Sequence, residues 1–239
     1  MVKMNIKALP ALKDNYIWVI FNSEHQAIVV DPGVADGVLN FLAEQQLKLI
    51  AILATHKHAD HTAGIKGLLQ QFPQVPVYGP SKDNVPLMTD DVVEGQILQL
   101  GAFAKILVLE IPGHTRGHVA YLIANNLFCG DTLFAAGCGR VFDGTYEELF
   151  ASLQKMYALP DDTQIYCGHE YTLANLKFAL AVEPGNKNII ERIKECEILR
   201  AEAKPTLPSN LALEKQTNPF LRVDSFARFK ELREWKNSF

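Results

Sequence analysis

Three histidines and one aspartate lie within a single six-residue stretch, His56–His61 (HKHADH), directly after an apolar run. Imidazole nitrogens and carboxylate oxygens suit zinc and other first-row metals as ligands. Side chains two residues apart in an extended chain point the same way, so His56 and His58 can grip one ion. Asp60 and His61 can reach a second ion only if the backbone turns. Because burying four such polar groups without a metal or partners would be costly, the stretch predicts a metal site.

Three further candidate ligands each follow an apolar run and stand beside a glycine. They are His114 in PGHTRGH, Asp131 in CGDT and His169 in CGHEY. This pattern brings loops from several strands to one edge of a sheet, which is a common place for an active site. We assign the neighbouring His118 a structural role, such as a hydrogen bond that orients a ligand or the backbone. His25 is interpreted as a surface turn residue.

The segments around these residues alternate between strands and helices. Asn15–Phe21 and Ala27–Val30 predict a β-hairpin, and further strands and helices follow. Thr145 and Glu148 have the spacing of a helix capping box. The remaining predicted strands are 49–53, 106–111, 119–123, 127–129 and 163–167, and a helix is expected to begin near Thr62.

After Gly168 the sequence changes from strand-forming to helix-forming residues. The segments Leu173–Ala181, Asn188–Ala203 and Phe226–Trp235 predict helices, and the Pro-rich connection between the last two predicts irregular structure. We therefore expect an α/β catalytic domain over residues 1–165 and a small all-α domain over residues 166–239.

Composition narrows the class of protein further. The 239 residues are 48% hydrophobic and 21% charged, as in an ordinary globular enzyme, and the net charge of −4 argues against nucleic acid as a partner. No run approaches the roughly 18 apolar residues of a membrane span, and the N-terminus does not resemble a signal peptide. Four cysteines without a CxxC pair are expected to be reduced packing residues. These features predict a cytoplasmic protein without a membrane partner.

In their order along the chain, the HKHADH stretch, Gly113-His114, Gly130-Asp131 and Gly168-His169 resemble the metallo-β-lactamase superfamily. The resemblance implies a four-layered αββα sandwich and two metal ions. It also implies a division of the ligands between the ions. One ion would take His56, His58 and His114, the other would take Asp60, His61 and His169, and Asp131 would bridge both.

Additional segments narrow the resemblance to the glyoxalase II, or hydroxyacylglutathione hydrolase, family. They include DTLFAAGCGR at 131–140, NPFLR at 218–222 and REWK at 233–236. By position, the resemblance implies that glutathione is held by Arg140, Tyr171, Arg233 and Lys236. Phe142 stands where some family members have tyrosine, so its ring could pack against the substrate but could donate no hydrogen bond. Without the resemblance, Arg233 and Lys236 would be assigned to a solvated helix face.

The reaction that this resemblance implies is hydrolysis of S-(2-hydroxyacyl)glutathione, chiefly S-D-lactoylglutathione, to D-lactate and glutathione. Divalent metals lower the pKa of bound water from about 16 towards 7, so a hydroxide shared by the two ions could attack the thioester. Asp60 or Asp131 could accept a proton while remaining a ligand. Zinc is the expected metal, with iron or manganese as alternatives, and a monomer is expected.

Rival functions come from two classes. A lactamase, a sulfur dioxygenase or a nuclease could share the fold. A lactamase or a dioxygenase should lack the C-terminal helical region that would hold glutathione. A nuclease would need a further domain and a basic surface. The other class is a non-catalytic metal-binding or scaffolding protein. Because all seven expected metal ligands are present, a site that has lost its catalytic function is disfavoured.

Overall fold

The computed structural model describes residues 3–239, so the first two residues of the predicted first domain lie outside the described part. The chain divides into two compact units. Unit 1 contains the residues up to Glu110 together with Gly117–Ala124, and unit 2 contains Ile111–Arg116 together with Asn125–Phe239. This division rests on spatial contacts, whereas the boundary at residue 166 rests on the change to helical sequence and stays a prediction.

A six-stranded sheet forms one part of unit 1. Its strands follow one another in chain order, β1 to β3 are antiparallel, and β3 to β6 run parallel. The parallel arrangement places the ends of β3 and β4 at the same edge, where Asp31 and Thr55-His56 follow. The strands are β1 Met4–Ala11, β2 Asn15–Asn22, β3 Gln26–Val30, β4 Lys48–Leu53, β5 Val77–Pro80 and β6 Asp90–Val92.

Unit 1 also contains an antiparallel ladder and three helices. In the ladder, β8 pairs with β7 on one side and with β9 on the other. Apolar residues of the helices and of the six-stranded sheet, among them Val38, Leu42 and Ile52, share one buried core. The elements are α1 Asp36–Glu44, α2 Ala59–Thr62, α3 Ile65–Gln71, β7 Ile97–Leu98, β8 Ile106–Glu110 and β9 Val119–Ile123.

Unit 2 combines short strands with five helices. Strands β10 and β13 are parallel, β14 pairs antiparallel with β13, and β11 and β12 form a small hairpin. The strands are β10 Asn126–Gly130, β11 Leu133–Phe134, β12 Gly137–Cys138, β13 Gln164–Cys167 and β14 Ser209–Asn210. The helices are α4 Tyr146–Tyr157, α5 Thr172–Val182, α6 Lys187–Ala201, α7 Leu211–Thr217 and α8 Phe226–Ser238.

Most predicted elements are present. The hairpin is confirmed by the antiparallel pairing of β2 with β3, and the capping box is confirmed at the start of α4. The prediction of irregular structure between the last two helices was wrong in part, because α7 lies there. The Asn210 side chain accepts a hydrogen bond from Leu213 N and so begins this helix between the flanking prolines.

Strand β1 was not predicted from the sequence. Its side chains alternate between more and less exposed positions, and its entire length pairs with β2. Over the described residues, none of the helices has the length and apolar character required to cross a bilayer.

Candidate metal centre

The four candidate ligands of unit 1 lie on a tight turn between β4 and α2. His58 is the extended N-cap residue of α2, and the single helical turn that follows carries Asp60 and His61 back towards the strand end. His56 Nε2 lies 3.0 Å from His58 Nδ1, and His61 Nε2 lies 3.5 Å from Asp60 Oδ2. The turn that the ligand spacing required is therefore present. His56 and His61 are buried, whereas His58 and Asp60 are partly accessible.

One buried carboxylate, Asp31, orients two of these imidazoles. Asp31 Oδ2 lies 3.0 Å from His61 Nδ1 and accepts a 2.7 Å hydrogen bond from Thr55 Oγ1. Because the single hydroxyl proton of Thr55 goes to Asp31, Thr55 Oγ1 acts as acceptor for His56 Nδ1, 3.0 Å away. Both rings then carry their proton on Nδ1, which leaves Nε2 available to a metal.

Sequence reasoning did not identify Asp31 or Asn15 as site residues. Asp31 follows the predicted strand Ala27–Val30 and was assigned no role, and Asn15 was interpreted only as the start of a strand. In the structure, Asn15 Nδ2 donates to Asp60 Oδ2 over 3.0 Å. A polar residue directly after a buried parallel strand was the available signal for Asp31, since the same rule identified His114, Asp131 and His169.

His118 lies face to face with a candidate ligand. Its ring is stacked on that of His56, with centroids 4.6 Å apart and an interplanar angle of 16°. His118 Nδ1 lies 3.1 Å from the carbonyl oxygen of Val119, which fixes the ring orientation. The contact agrees with a role in holding the His56 ring.

The three candidate ligands of unit 2 come from three separate loops. Asp131 Oδ2 lies 3.6 Å from His114 Nε2 and 3.2 Å from His169 Nε2, and all three residues are buried. Asp131 and His169 follow the parallel neighbours β10 and β13, so their loops leave the sheet at one edge. His114 Nδ1 lies 2.8 Å from the carbonyl oxygen of Arg140. Because a carbonyl only accepts, Nδ1 carries the proton and Nε2 is left for a metal.

The spacing of the donor atoms within each unit fits metal ligation. Two ligands about 2.0–2.1 Å from a tetrahedral zinc are about 3.3 Å apart. The four separations described above run from 3.0 to 3.6 Å. Imidazole and carboxylate donors are also the types that zinc, iron and manganese accept. The residues therefore suit first-row metal ions.

A glycine allows the segment after Asp131 to pass close to the ligands. A Cβ atom at Gly139 would lie 1.9 Å from the carbonyl oxygen of Asp131 and 3.1 Å from His114 Nδ1. Any side chain at this position would therefore displace the main chain that carries Arg140. This contact explains the second glycine of the GCGR segment.

Two of the predicted substrate residues touch ligand imidazoles directly. Tyr171 is stacked on His169, with ring centroids 4.7 Å apart and an interplanar angle of 5°. Phe142 meets the ring of His114 edge to face at 5.0 Å, yet the residue is 65% exposed. Both rings thus present apolar surface next to the candidate ligands.

The predicted cations differ in burial. Arg140 is exposed, whereas Arg233 is only 2% exposed and donates to the carbonyl oxygens of Cys138 and Gly139 at 2.8 and 3.4 Å. Arg233 Nε has no hydrogen-bond partner within the described part of the chain. Burial, and next the charge of Arg233, lower the pKa of Lys236 to about 8. Arg233 is therefore not on a solvated face, and Lys236 lies in a positive field.

The cysteines have the packing role that the sequence predicts. All four are buried, and none of them forms a disulfide within the described residues. Burial raises the pKa of Cys167 to about 12 and that of Cys129 well above its ordinary value. A thiol with a raised pKa is a poor nucleophile at neutral pH, so these two cysteines are unsuited to covalent catalysis.

Known proteins match the chain along almost its entire length. Residues 12–169 match the metallo-beta-lactamase superfamily, and residues 170–239 match the family described as hydroxyacylglutathione hydrolase C-terminus. Hydroxyacylglutathione hydrolases of Nitrosomonas europaea and Vibrio cholerae are each 46% identical to it. The matches cover 99% of this chain in both cases, and 97% and 100% of the respective relatives.

A solved structure supports the same fold. The crystal structure of ETHE1 from Myxococcus xanthus aligns with a TM-score of 0.73 and 27% identity, over 96% of this chain and 90% of that one. The predicted metallo-β-lactamase fold with a helical C-terminal region is thus confirmed.

Proposed function

The chain belongs to the hydroxyacylglutathione hydrolase family of the metallo-β-lactamase superfamily, and from this premise we propose that it hydrolyses S-(2-hydroxyacyl)glutathione, chiefly S-D-lactoylglutathione. The products are D-lactate and glutathione, and the reaction is the second step of methylglyoxal detoxification. One structural observation carries the proposal. Three cations and two aromatic rings lie in the same unit as three candidate metal ligands, and both rings touch those ligands.

We propose that the ligand sets of the two units supply one binuclear centre. His56, His58 and His114 would hold one divalent ion, Asp60, His61 and His169 would hold the other, and Asp131 would bridge both. Support comes from the ligand-like spacing within each unit and from the family to which the chain belongs. Bound there, two zinc ions, or iron or manganese in their place, would supply hydroxide at neutral pH and polarise the thioester carbonyl.

The glutathione half of the substrate would be recognised by unit 2. Glutathione carries two carboxylates and one ammonium group at neutral pH. Arg140 is exposed, and its charge is one of the causes that lower the pKa of Lys236. Arg233 Nε adds a buried donor that is unpaired within the described residues. Charge-assisted hydrogen bonds to carboxylates are among the stronger polar contacts, so these groups would orient the thioester.

The rings and the acidic ligands complete the proposed site. The exposed ring of Phe142 and the ring of Tyr171 would pack against the substrate beside His114 and His169. The carboxylate of Asp60 or Asp131 would take up the proton released during attack on the thioester. The glutathione thiolate is a fair leaving group and needs little protonation.

The proposal also includes a monomeric, cytoplasmic enzyme. Four buried cysteines without a disulfide among the described residues fit a reducing compartment. The prediction that neither nucleic acid nor membrane is a partner rests on the acidic net charge and on the absence of a long apolar run.

The direct test is steady-state hydrolysis of S-D-lactoylglutathione by the purified, metal-loaded chain, followed as loss of thioester absorbance. Saturable turnover is expected. A metal-loaded protein that does not hydrolyse the thioester would contradict the proposal and would make oxidation of a glutathione persulfide the next reaction to assay. A non-catalytic metal protein would bind the ions and turn over neither substrate.

A further inference from the structure

Besides the backbone pairing of β11 with β12, side chains from the helical part of unit 2 hold the main chain of residues 134–139 at several points. Asn218 Nδ2 donates to the carbonyl oxygens of Phe134 and Gly137 at 3.1 and 2.9 Å. Ala136 N donates to Glu214 Oε2 over 2.8 Å. Two further side chains contribute, since Asn175 Nδ2 donates to Ala135 O at 3.0 Å and Arg233 Nη1 donates to Cys138 O at 2.8 Å. We call Asn175, Glu214, Asn218 and Arg233 the hairpin clamp.

Glu214 belongs to a buried ion pair that faces this segment. Its side chain is fully buried, and Oε1 accepts a 2.6 Å hydrogen bond from Arg192 Nη2. Oε2 accepts from Ala136 N and, at 3.1 Å, from Asn218 Nδ2. A buried carboxylate is costly unless it is paired and hydrogen-bonded. Here Arg192 supplies the charge, and Ala136 N, Asn218 Nδ2 and Ser209 Oγ donate the remaining hydrogen bonds.

Asparagine is required at position 218 for a chemical reason. Its amide nitrogen faces two carbonyl oxygens and one carboxylate oxygen, which are all acceptors, and its amide oxygen accepts from Phe220 N at 3.1 Å. Aspartate would place a fourth acceptor oxygen beside these three and would donate no hydrogen bond to them. Alanine would leave two buried carbonyl oxygens without this donor.

The clamped segment leads directly to the ligands of unit 2. It begins three residues after Asp131 and ends at Gly139, whose amide donates to the carbonyl oxygen of Thr132 at 3.1 Å. The next residue, Arg140, provides the carbonyl oxygen that holds His114 Nδ1 at 2.8 Å. Movement of residues 134–139 would therefore shift the group that sets the tautomer and orientation of His114.

We infer that Asn218 is a positioning residue for the reaction, acting with Glu214 through the main chain of residues 134–139 to hold Arg140 O against His114. The helices of unit 2 thus shape the metal-binding loop in addition to presenting cations to the substrate. This role deepens the proposed function and rests on it. It also assigns a function to Asn218 of the NPFLR segment, which is not among the residues proposed to bind glutathione.

The test compares Asn218→Ala with the neighbouring variant Thr217→Val. Thr217 is also fully buried; its hydroxyl accepts from Arg192 Nη1 and donates to Leu213 O, and neither of these bonds is made to residues 134–139. The zinc-loaded proteins are mixed with a chromogenic chelator, the rate of zinc release is recorded, and kcat and KM are measured separately. Thermal unfolding midpoints show how far each variant is destabilised.

Asn218→Ala is expected to release zinc about tenfold faster than the wild type and to lose about tenfold in kcat, the lower range for loss of a residue that orients a ligand. Thr217→Val is expected to lose stability only. Zinc release and kcat that match those of Thr217→Val would overturn the inference, because Asn218 would then be merely structural. If Asn218→Ala does not fold, Asn175→Ala tests the inference by the same measurements. A smaller effect is expected, because Asn175 donates only one hydrogen bond to the segment, to Ala135 O.

Failure of the inference and failure of the proposed function are distinguishable. A wild type that holds zinc but does not hydrolyse the thioester would contradict the function, whereas the chelator arm would still decide the role of Asn218. A wild type that binds no zinc would overturn both.

Discussion

In unit 1 the four candidate ligands come from one strand-to-helix turn, whereas in unit 2 three candidate ligands come from three loops that are distant in sequence. Unit 1 orients its imidazoles with polar side chains, through Asp31 and Thr55. Unit 2 orients His114 with a main-chain carbonyl and surrounds the ligands with the rings of Phe142 and Tyr171.

The difference indicates that the two units contribute differently to the proposed reaction. The ligand set of unit 1 depends on the buried carboxylate of Asp31, and unit 1 contains none of the predicted substrate residues, so changes there should act on metal binding. The ligand set of unit 2 lies beside the cations and rings, and its loop is held by the hairpin clamp. In unit 2, changes to the candidate ligands should act on the chemical step, and changes to the cations and rings should act on substrate affinity.

The largest effect is expected from Asp131→Asn in unit 2. An amide lacks the negative charge needed to bridge two cations, and we expect kcat to fall at least about a thousandfold. Steady-state turnover and metal analysis measure the change, and circular dichroism controls for folding. Turnover within tenfold of the wild type, a ratio worth about 1.4 kcal/mol, would remove Asp131 from the catalytic centre.

The next effect tests unit 1 through Asp31→Asn. Asp31 accepts at both oxygens, Oδ2 from His61 Nδ1 and Thr55 Oγ1 and Oδ1 from Thr55 N, whereas an amide has only one acceptor oxygen. One side of this network would therefore be lost, and metal affinity should fall about 10- to 100-fold. Competition with a chelator measures the affinity. Asn22→Ala, which changes a buried turn residue of the same unit, is the control. Equal metal affinities for the two variants would show that Asp31 is not an orienting group.

A smaller effect separates substrate binding from chemistry in unit 2. Lys236→Ala removes one cation and should raise KM for the glutathione thioester about tenfold with kcat nearly unchanged. Lys230→Ala, on the same helix and exposed, is the matched control. A loss confined to kcat would place Lys236 outside the glutathione site.

The pH dependence sharpens the same point. Because burial and the charge of Arg233 lower the pKa of Lys236 to about 8, this side chain is charged below that pH and loses its proton above it. The value of kcat/KM should therefore decline as pH rises through about 8, since it reports groups of the free enzyme. In Lys236→Arg the decline of kcat/KM at high pH should disappear, because the guanidinium stays charged. An unchanged decline of kcat/KM in Lys236→Arg would show that another group is responsible for it.

The smallest effect is expected from Phe142→Tyr. The added hydroxyl on this exposed ring offers the substrate one further hydrogen bond, so KM should fall about two- to threefold with kcat unchanged. Phe142→Leu, which keeps apolar area but removes the ring, is the companion variant. No change in either would mean that position 142 does not contact the substrate.

The candidate ligands of unit 1 could be predicted from the sequence because their spacing is local. Those of unit 2 could be predicted because glycine-flanked polar residues follow apolar strands. Asp31 was missed because its partner residues lie 24 and 30 positions away, beyond any local pattern. Helix α7 was missed because Pro205, Pro208 and Pro219 outweighed the Asn210 cap. The burial of Arg233 could not be predicted, since helix periodicity alone does not show which loop covers a face.

The most direct test of the account compares two lactoyl thioesters, one of glutathione and one of a small neutral thiol, with the metal-loaded wild type. If the ligands activate water and unit 2 grips glutathione, both thioesters should be hydrolysed. The glutathione thioester should then have a kcat/KM at least about a hundredfold higher, which corresponds to about 2.7 kcal/mol of additional transition-state binding. Equal kcat/KM values, or no hydrolysis of S-D-lactoylglutathione, would contradict the account.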